Sequence, residues 1–364
     1  MMITKQQKKS FSFFEKIQFF LYRVLWHVFS GKSRNTPVFI LLYGFHYELI
    51  KNILPYLQSY TIFPATEEAR QYVLQNNILH SRSVLFPTCI VEMDFVTETK
   101  DYLYIPWWLK SLYQQREAKR IQLCHGLIDK NWTFSLKNKP YDLLLVPGQY
   151  AAKRLKRIGI ERKKIQIVGF PKLDSYVKKT GGQLAKRRKK QTLLYAPTWG
   201  PLGTLPLMLK TLMDLNKKYR VIVKLHPHAE WYYEGLLQSL RIETVRNVNI
   251  VDLFYDADML VTDNSSVMFE FLITEKPIVL LDMCSWISKG PISVAPQGPE
   301  IIYRDLFYHT NNLRKLKSLI AQLLNKPKHK NKALMKSVQN YLINPVYPAG
   351  EKTAQIIIRF IKHH

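Results

Sequence analysis

Short apolar segments alternate with helix-like segments along this chain, and this alternation limits the possible folds more than any other feature. Eight apolar runs are typical of buried strands: Pro37–Tyr43, Ile121–Cys124, Asp142–Val146, Ile165–Val168, Thr192–Tyr195, Val221–Leu225, Leu260–Thr262 and Ile278–Leu281. Two shorter candidates are Tyr60–Phe63 and Val84–Phe86. Apolar strands separated by helices favour parallel sheets that are covered by helices on both faces.

A basic segment divides these runs into two halves. Lys178–Lys190 (KKTGGQLAKRRKK) contains two adjacent glycines within a run of lysines and arginines, which is typical of a solvated linker. We therefore predict an α/β protein with two Rossmann-like domains, 35–177 and 191–345, that face a central cleft and are joined by the linker 178–190. Hydrophobic periodicity leaves open whether the later run QIIIRFI is a helix or a strand.

The N-terminal segment has a composition of its own. Phe11–Phe29 is rich in aromatic residues, and in a helix its few polar residues would lie along one narrow stripe. One interpretation is an amphipathic, membrane-associating segment over 1–34, with aromatic rings at headgroup depth. The other is a helix that packs on the protein's own core or on a partner. Internal charges and the lack of an A-x-A-like cleavage site disfavour a signal peptide.

The charge of the chain is strongly positive, with 54 Lys+Arg against 27 Asp+Glu and a net charge of +27. Such a surface attracts nucleic acid, anionic lipid or phosphate-rich substrates. No zinc-finger or RNA-recognition signature is present, so we predict no nucleic-acid partner. Three scattered cysteines without a C-x-x-C pair favour a reduced, cytoplasmic compartment. No run of about twenty apolar residues is free of charge, as a membrane span would be.

Polar side chains follow four of the predicted strands. The candidates are His125 and Gly126 after IQLC, Thr198 after TLLY, Lys224 and His226 at the end of VIVKL, and Asp263, Ser265 and Ser266 after MLVT. In open α/β sheets, ligands bind outside the carboxyl ends of the strands. These residues are therefore the candidate site.

The two serines favour a phosphate site. A helix is expected to begin at Ser265 and Ser266, where backbone N–H groups and a partial positive charge attract anions. The alternative is an ordinary helix cap, with Asp263 in an Asx turn. Glu270, one helical turn further, is a candidate for ribose hydroxyls or an exposed glutamate without a ligand.

The sequence gives weaker support for two other kinds of site, a thiol nucleophile and a zinc site. Cys124 could be a thiol nucleophile, but it ends an apolar strand and is expected to face the core. His226 and His228 could bind zinc with a third histidine, but the proline between them disfavours this, so no metal site is predicted. The chain has no P-loop and no G-x-G-x-x-G, which excludes the usual kinase and dinucleotide motifs.

Together these motifs resemble the CDP-glycerol glycerophosphotransferase family, the teichoic-acid primases and polymerases with a GT-B-like fold. The resemblance is carried by His125-Gly126, YAPTW at Tyr195–Trp199, KLHPH at Lys224–His228, TDNSSVMFEF at Thr262–Phe271 and PAGEKTAQII at Pro348–Ile357. The chain departs from the family pattern after His125-Gly126, where LIDK replaces T-P-L-K. It departs again after YAPTW, where Gly200-Pro201-Leu202-Gly203 replaces an arginine and an acidic residue.

The resemblance implies a reaction and roles for the candidate residues. A hydroxyl of a lipid-linked acceptor would attack the β-phosphate of CDP-glycerol or another CDP-alditol, and CMP would leave. His125 would be the general base, and His226 with Lys224 would stabilise the diphosphate and the departing CMP. The donor phosphates would contact Ser265, Ser266, Lys224 and Gly126, and the nucleotide and ribose would contact Thr198, Glu270 and Asp263. No cofactor is expected, and the alternative is a requirement for Mg²⁺.

The resemblance also assigns the domains and the setting. The 35–177 domain would bind the acceptor, the 191–345 domain the nucleotide donor, and 346–364 would be a closing helix. The protein would act at the cytoplasmic face of the cell membrane, as a peripheral protein on anionic lipid, in teichoic-acid or capsule synthesis. The alternatives are a GT-B glycosyltransferase that uses a nucleotide sugar and a non-catalytic membrane-bound binding protein.

Overall fold

Two parallel sheets of six strands each form the protein. The computed structural model describes residues 36–81, 87–93, 118–129, 133–180, 190–200, 203–282, 295 and 297–363. The segment 1–34 and the strand candidate Val84–Phe86 lie outside these residues, so the N-terminal helix stays a prediction.

The first sheet has the order β2-β1-β3-β4-β5-β6, and every neighbouring pair in it is parallel. Its strands are β1 Val38–Leu41, β2 Thr61–Pro64, β3 Cys89–Glu92, β4 Lys119–Leu123, β5 Leu143–Val146 and β6 Ile165–Ile167. β1, β3 and β5 are buried along their whole length, as strands covered by helices on both faces require.

The second sheet has the order β12-β11-β10-β7-β8-β9 and is also parallel throughout. Its strands are β7 Thr192–Ala196, β8 Arg220–Lys224, β9 Glu243–Val245, β10 Met259–Thr262, β11 Ile278–Leu281 and β12 Tyr308–Thr310. The predicted α/β class with two doubly covered parallel sheets is therefore confirmed.

Helices connect the strands and cover both sheets. The α-helices of the first half are Phe45–Ile50, Glu67–Gln75, Gln149–Arg157 and Asp174–Thr180. Those of the second half are Leu205–Lys218, Tyr232–Ser239, Ile250–Phe254, Val267–Glu270, Pro299–Ile302, Leu313–Asn325, Lys332–Leu342 and Ala349–Lys362. Short 3₁₀ turns lie at Leu54–Tyr56, Leu136–Asn138, Arg162–Lys164, Pro171–Leu173, Phe271–Thr274 and Arg304–Leu306.

The differences from the sequence prediction have local causes. The helix predicted over Tyr47–Leu57 ends at Ile50, and a 3₁₀ turn with Pro55 follows. The strands Glu243–Val245 and Tyr308–Thr310 lie at the two edges of the second sheet and are only partly buried, so they lack an apolar run. The run QIIIRFI lies within the helix Ala349–Lys362.

The last two helices return to the first domain. The backbone N–H groups of Ala349 and Gly350 donate to the Asp174 carboxylate at 3.0 and 2.7 Å. The Asn344 N–H donates to the Pro147 carbonyl at 2.8 Å. The chain therefore passes between the two domains twice, and the domain limits proposed from the sequence stay predictions. None of the helices described here is long and apolar enough to cross a membrane.

Candidate active site

Aromatic and imidazole rings join the carboxyl ends of the two sheets. The His228 ring, after β8, lies 4.7 Å from the Tyr43 ring after β1 and 5.1 Å from the Trp199 ring after β7. Phe45 also contacts His228, at 6.3 Å between ring centroids. The strand ends that carry the candidate residues therefore face each other across the two domains, as the prediction of a central cleft requires.

His125 is held in one orientation from the first domain. Its Nδ1 lies 2.9 Å from the Met93 carbonyl oxygen, which can only accept, so Nδ1 carries the proton in the neutral ring. Nε2 is then the basic nitrogen. The His46 and Phe45 rings lie 5.8 and 6.2 Å from the His125 ring. This tautomer is the one that a general base acting through Nε2 needs.

His226 is held in the opposite tautomer. The backbone N–H of His228 donates to His226 Nδ1 at 3.1 Å, so in the neutral ring the proton lies on Nε2. His226 can therefore donate a hydrogen bond through Nε2, whereas His125 can accept a proton there. The two domains thus supply one basic and one donating imidazole nitrogen.

Gly126 leaves open space next to His125. A Cβ atom built at this glycine would meet nothing within 4 Å, and its φ is outside the left-handed region. Backbone geometry therefore does not require glycine here, which is consistent with close approach of a ligand to the backbone.

The two serines differ in their contacts. Ser266 precedes the short helix Val267–Glu270, and its hydroxyl makes no capping bond to the helix backbone. It donates instead to Glu270 Oε1 at 3.0 Å, because a carboxylate only accepts. Simple capping by Ser266 is therefore not what the structure shows. Ser265, half-buried beside it, remains a candidate donor to phosphate.

Glu270 is buried and forms an ion pair across the two domains. Its Oε2 lies 2.8 Å from Nζ of Lys172, which follows β6 in the first domain, and the Glu270 side chain is 1% exposed. The interpretation of Glu270 as an ordinary exposed glutamate is therefore wrong, whereas a ribose contact stays a prediction. The sequence analysis missed Lys172, although Gly169-Phe170-Pro171 marks the end of the strand before it.

Asp263 organises the loop that carries Thr198. Its carboxylate is fully buried and accepts four hydrogen bonds: from Thr198 N (2.8 Å), Thr204 N (2.9 Å), Thr204 Oγ1 (2.9 Å) and Asn264 N (2.7 Å). Burial raises the pKa of Asp263, and these donors oppose that effect. Asp263 was predicted to contact the nucleotide, and in this structure its carboxylate binds the neighbouring loop instead.

Lys224 is also directed toward the protein interior. Its Nζ donates to the carbonyl oxygens of Leu225 and Arg246, and its side chain is buried. Burial first, and then the charges of Lys172 and Arg246, lower the pKa of Lys224 to about 7. The Lys224 amine is therefore bound to backbone carbonyl oxygens in this structure, and its predicted contact with the donor phosphates stays a prediction.

The departure LIDK after His125-Gly126 has a structural counterpart. The Asp129 carboxylate, buried, accepts from Arg154 Nε at 2.5 Å and from the Tyr150 hydroxyl at 2.8 Å. The Ala295 N–H, from the second half of the chain, donates to the Asp129 carbonyl at 2.8 Å. This aspartate therefore fixes the His125 loop against the other domain. Over the described ranges, no group of three or more His, Cys, Asp or Glu side chains is arranged to hold a metal.

Comparison with known proteins gives the family of the chain. The family model of CDP-glycerol:poly(glycerophosphate) glycerophosphotransferases matches residues 48–283. The teichoic acid glycerol-phosphate primase of Bacillus subtilis (strain 168) is 32% identical over 148 residues, 38% of this chain and 39% of the primase. The primase of the same name from Bacillus spizizenii is 30% identical over 216 residues, 56% of each chain. The chain thus matches about half or less of the length of these curated relatives.

Solved structures share the fold. The wall teichoic acid polymerase TagF superposes with a TM-score of 0.61 at 15% identity, over 97% of this chain and 99% of that chain. UDP-GlcNAc 2-epimerase from Neisseria meningitidis superposes with a TM-score of 0.52 at 12% identity, over 90% of this chain and 99% of that chain. These likenesses support the GT-B-like architecture. The family model matches more than half of the residues of this chain, so the chain belongs to the CDP-glycerol:poly(glycerophosphate) glycerophosphotransferase family.

Proposed function

We propose that this protein transfers a glycerol-phosphate or related alditol-phosphate unit from a CDP-alditol to a hydroxyl of a lipid-linked or polymer acceptor, and releases CMP. In this proposal the transfer is a step in the synthesis of a teichoic-acid-like or capsular polymer. The observation that carries the proposal is the pair of opposite tautomers at the facing strand ends, with Nε2 basic in His125 and Nε2–H in His226.

The proposed step uses both nitrogens. His125 Nε2 removes the proton of the acceptor hydroxyl, and the oxygen attacks the β-phosphorus of the CDP-alditol. The bond between that phosphorus and the oxygen bridging to CMP breaks, and the electron pair leaves with CMP. His226 Nε2–H donates to the departing phosphate, while Ser265 donates to a non-bridging oxygen. The acceptor proton remains on His125 until water removes it.

The neighbouring ion pair has a role in the same proposal. Ser266 directs its proton to Glu270, and Glu270 in turn binds Lys172. Donor binding would bring a diphosphate next to Ser265 and thus close to this pair. Lys172 is then a cation of the acceptor domain near the donor phosphates, so it couples the relative position of the domains to donor binding.

The location of the protein is part of the proposal. The net charge of +27 supports attraction to an anionic membrane surface, where basic residues contribute about 1 kcal/mol each. A peripheral protein at the cytoplasmic face would meet a lipid-linked acceptor there.

The test is an assay of the purified full chain with a panel of donors. We expect release of CMP from CDP-glycerol or another CDP-alditol in the presence of a lipid-linked acceptor hydroxyl. Release of UDP from a UDP-sugar instead would establish the glycosyltransferase alternative. Tight nucleotide binding without release of either product would establish the non-catalytic alternative.

A further inference from the structure

Arg246 lies directly after β9 and holds the backbone that carries His226 and His228. Its guanidinium group donates to the carbonyl oxygens of His226 (3.3 Å), Pro227 (3.3 Å), Ala229 (2.9 Å) and Glu230 (3.3 Å), and its Nε donates to Glu234 Oε2 (3.0 Å). Three of these bonds share the two hydrogens of Nη1. The Arg246 side chain is 15% exposed, so one half-buried cation holds the backbone of residues 226–230.

The geometry of one peptide unit links Arg246 to the imidazole ring. The Pro227 carbonyl and the His228 N–H belong to the same planar peptide group and point in opposite directions when it is trans. Arg246 binds the carbonyl side of this unit, and the N–H side donates to His226 Nδ1 at 3.1 Å. The contact that keeps the proton of neutral His226 on Nε2 therefore depends on the position of the guanidinium group.

We propose that Arg246 is a positioning residue that sets the tautomer of His226 through the Pro227–His228 peptide group. The inference rests on the proposed function only where His226 Nε2–H is assigned to the departing CMP. Arginine suits this role because its planar fork presents five donors in fixed directions, whereas lysine offers a single point charge. The sequence around Arg246 does not indicate this role, because four of its five acceptors are backbone carbonyl oxygens of another segment.

The experiment compares Arg246→Gln and Arg246→Lys with Arg220→Gln in the full chain. Arg220 is a matched control, because it forms an ion pair with Glu243 at 2.6 Å, at the other end of the same two strands. We expect Arg246→Gln to lower kcat for CMP release about 10²-fold, as small misplacements of catalytic groups do, with a smaller effect on KM. Arg246→Lys should have an intermediate kcat, and Arg220→Gln should resemble the unmodified protein.

The decisive readout is the tautomer of His226, measured by NMR of the chain labelled with ¹⁵N-histidine and assigned with a His226→Gln variant. We expect the fraction of neutral His226 with the proton on Nε2 to fall in Arg246→Lys and further in Arg246→Gln. If Arg246→Gln does not fold, Arg246→Lys decides the comparison. An unchanged tautomer in the folded Arg246 variants would overturn the proposal, even if kcat fell. If the unmodified protein released no CMP from any donor, the proposed function would fail, and the ring-nitrogen signals would still decide the role of Arg246.

Discussion

At the scale of single residues, His125 has the most specific environment. His125→Asn keeps an amide nitrogen near the position of Nδ1, which can donate to the Met93 carbonyl, but lacks a basic nitrogen. We expect the thermal unfolding midpoint to change little and kcat for CMP release to fall about 10²–10⁴-fold. The measurements are a steady-state assay and a thermal melt of both proteins. A kcat close to that of the unmodified chain would remove His125 from the mechanism.

Substitution of Gly126 tests whether the open space beside His125 is used by the donor. Gly126→Ala introduces a methyl group that meets no protein atom within 4 Å, at a backbone conformation that alanine can adopt. We expect the free energy of unfolding to be unchanged or to rise by about 0.4–1 kcal/mol, because alanine loses less chain entropy on folding. The KM for CDP-glycerol should rise, since the methyl group would lie where the donor phosphates pass.

Gly235→Ala is the control for this variant. Gly235 also has nothing within 4 Å of its added Cβ, but it lies in the helix Tyr232–Ser239 and not at a strand end. Equal values of KM in the two variants would mean that the space beside Gly126 is not on the path of the donor.

Burial of Lys224 makes the free energy of unfolding depend on pH. Its folded-state pKa of about 7 is lower than the value of about 10.4 in an unfolded chain, because burial disfavours the ammonium form. Between these pH values the unfolded chain binds one proton more, so the free energy of unfolding rises with pH. The destabilisation by the buried charge is fully present below about pH 7 and is relieved as the pH rises.

The test compares Lys224→Met with Lys217→Met, whose lysine is 79% exposed. Urea titrations at about pH 7 and about pH 8.5 should show a smaller rise in unfolding free energy for Lys224→Met than for the unmodified protein. Lys217→Met should keep the rise of the unmodified protein. Parallel pH dependence in all three proteins would show that Lys224 titrates at its ordinary pKa.

At the scale of structural elements, the contact between the turn Pro171–Leu173 and the helix Val267–Glu270 is the one to test. The Lys172 side chain is 20% exposed and the Glu270 side chain 1%. The control is the Lys332–Glu275 ion pair, whose side chains are 67% and 51% exposed. Lys172→Met should lower the free energy of unfolding by about 3 kcal/mol, because it leaves a carboxylate buried without its cation. Lys332→Met should cost about 0–1 kcal/mol.

The double variant completes this test. Lys172→Met with Glu270→Gln should be less destabilised than the sum of the single variants, with a coupling of about 0.5–3 kcal/mol. Calorimetry with CDP on the same proteins measures whether the pair also contributes to donor binding. Additive effects on unfolding would show that the two side chains do not interact in solution.

Strand ends were predictable from the sequence, but the partners of their side chains were not. His125, His226 and the two serines could be found because polar groups follow apolar runs at one edge of a parallel sheet. Lys172 and Arg246 could not, since their acceptors come from distant segments, 98 residues away for Glu270 and 20 for His226. The strands Glu243–Val245 and Tyr308–Thr310 were missed because edge strands need not be apolar.

At the scale of the whole molecule, attachment to the membrane can be separated from catalysis. Deleting residues 1–34 removes the aromatic segment and none of the candidate site residues. We expect the truncated protein to bind anionic liposomes less well at high salt, where only burial of apolar surface still holds the protein. High salt alone should weaken binding of the full chain without abolishing it.

Nucleotide binding is the control for this deletion, and CDP affinity should be unchanged. If both proteins sediment equally with liposomes at low and high salt, the segment 1–34 is a packing element. Attachment would then depend on another surface, and the aromatic run Tyr102–Trp108 is the next segment to vary.

The return of the helix Ala349–Lys362 to the first domain has a consequence for biosynthesis. Asp174 finds its two backbone donors 175 and 176 residues later in the chain, so the first domain cannot complete its hydrogen bonds while the ribosome is still translating the second. The strands of each sheet are close in sequence, between Val38 and Ile167 and between Thr192 and Thr310, so only the contact of the first domain with the last helix is delayed. The N-terminal half, although made first, is therefore expected to form its last contacts only after the C-terminal helix has left the ribosome.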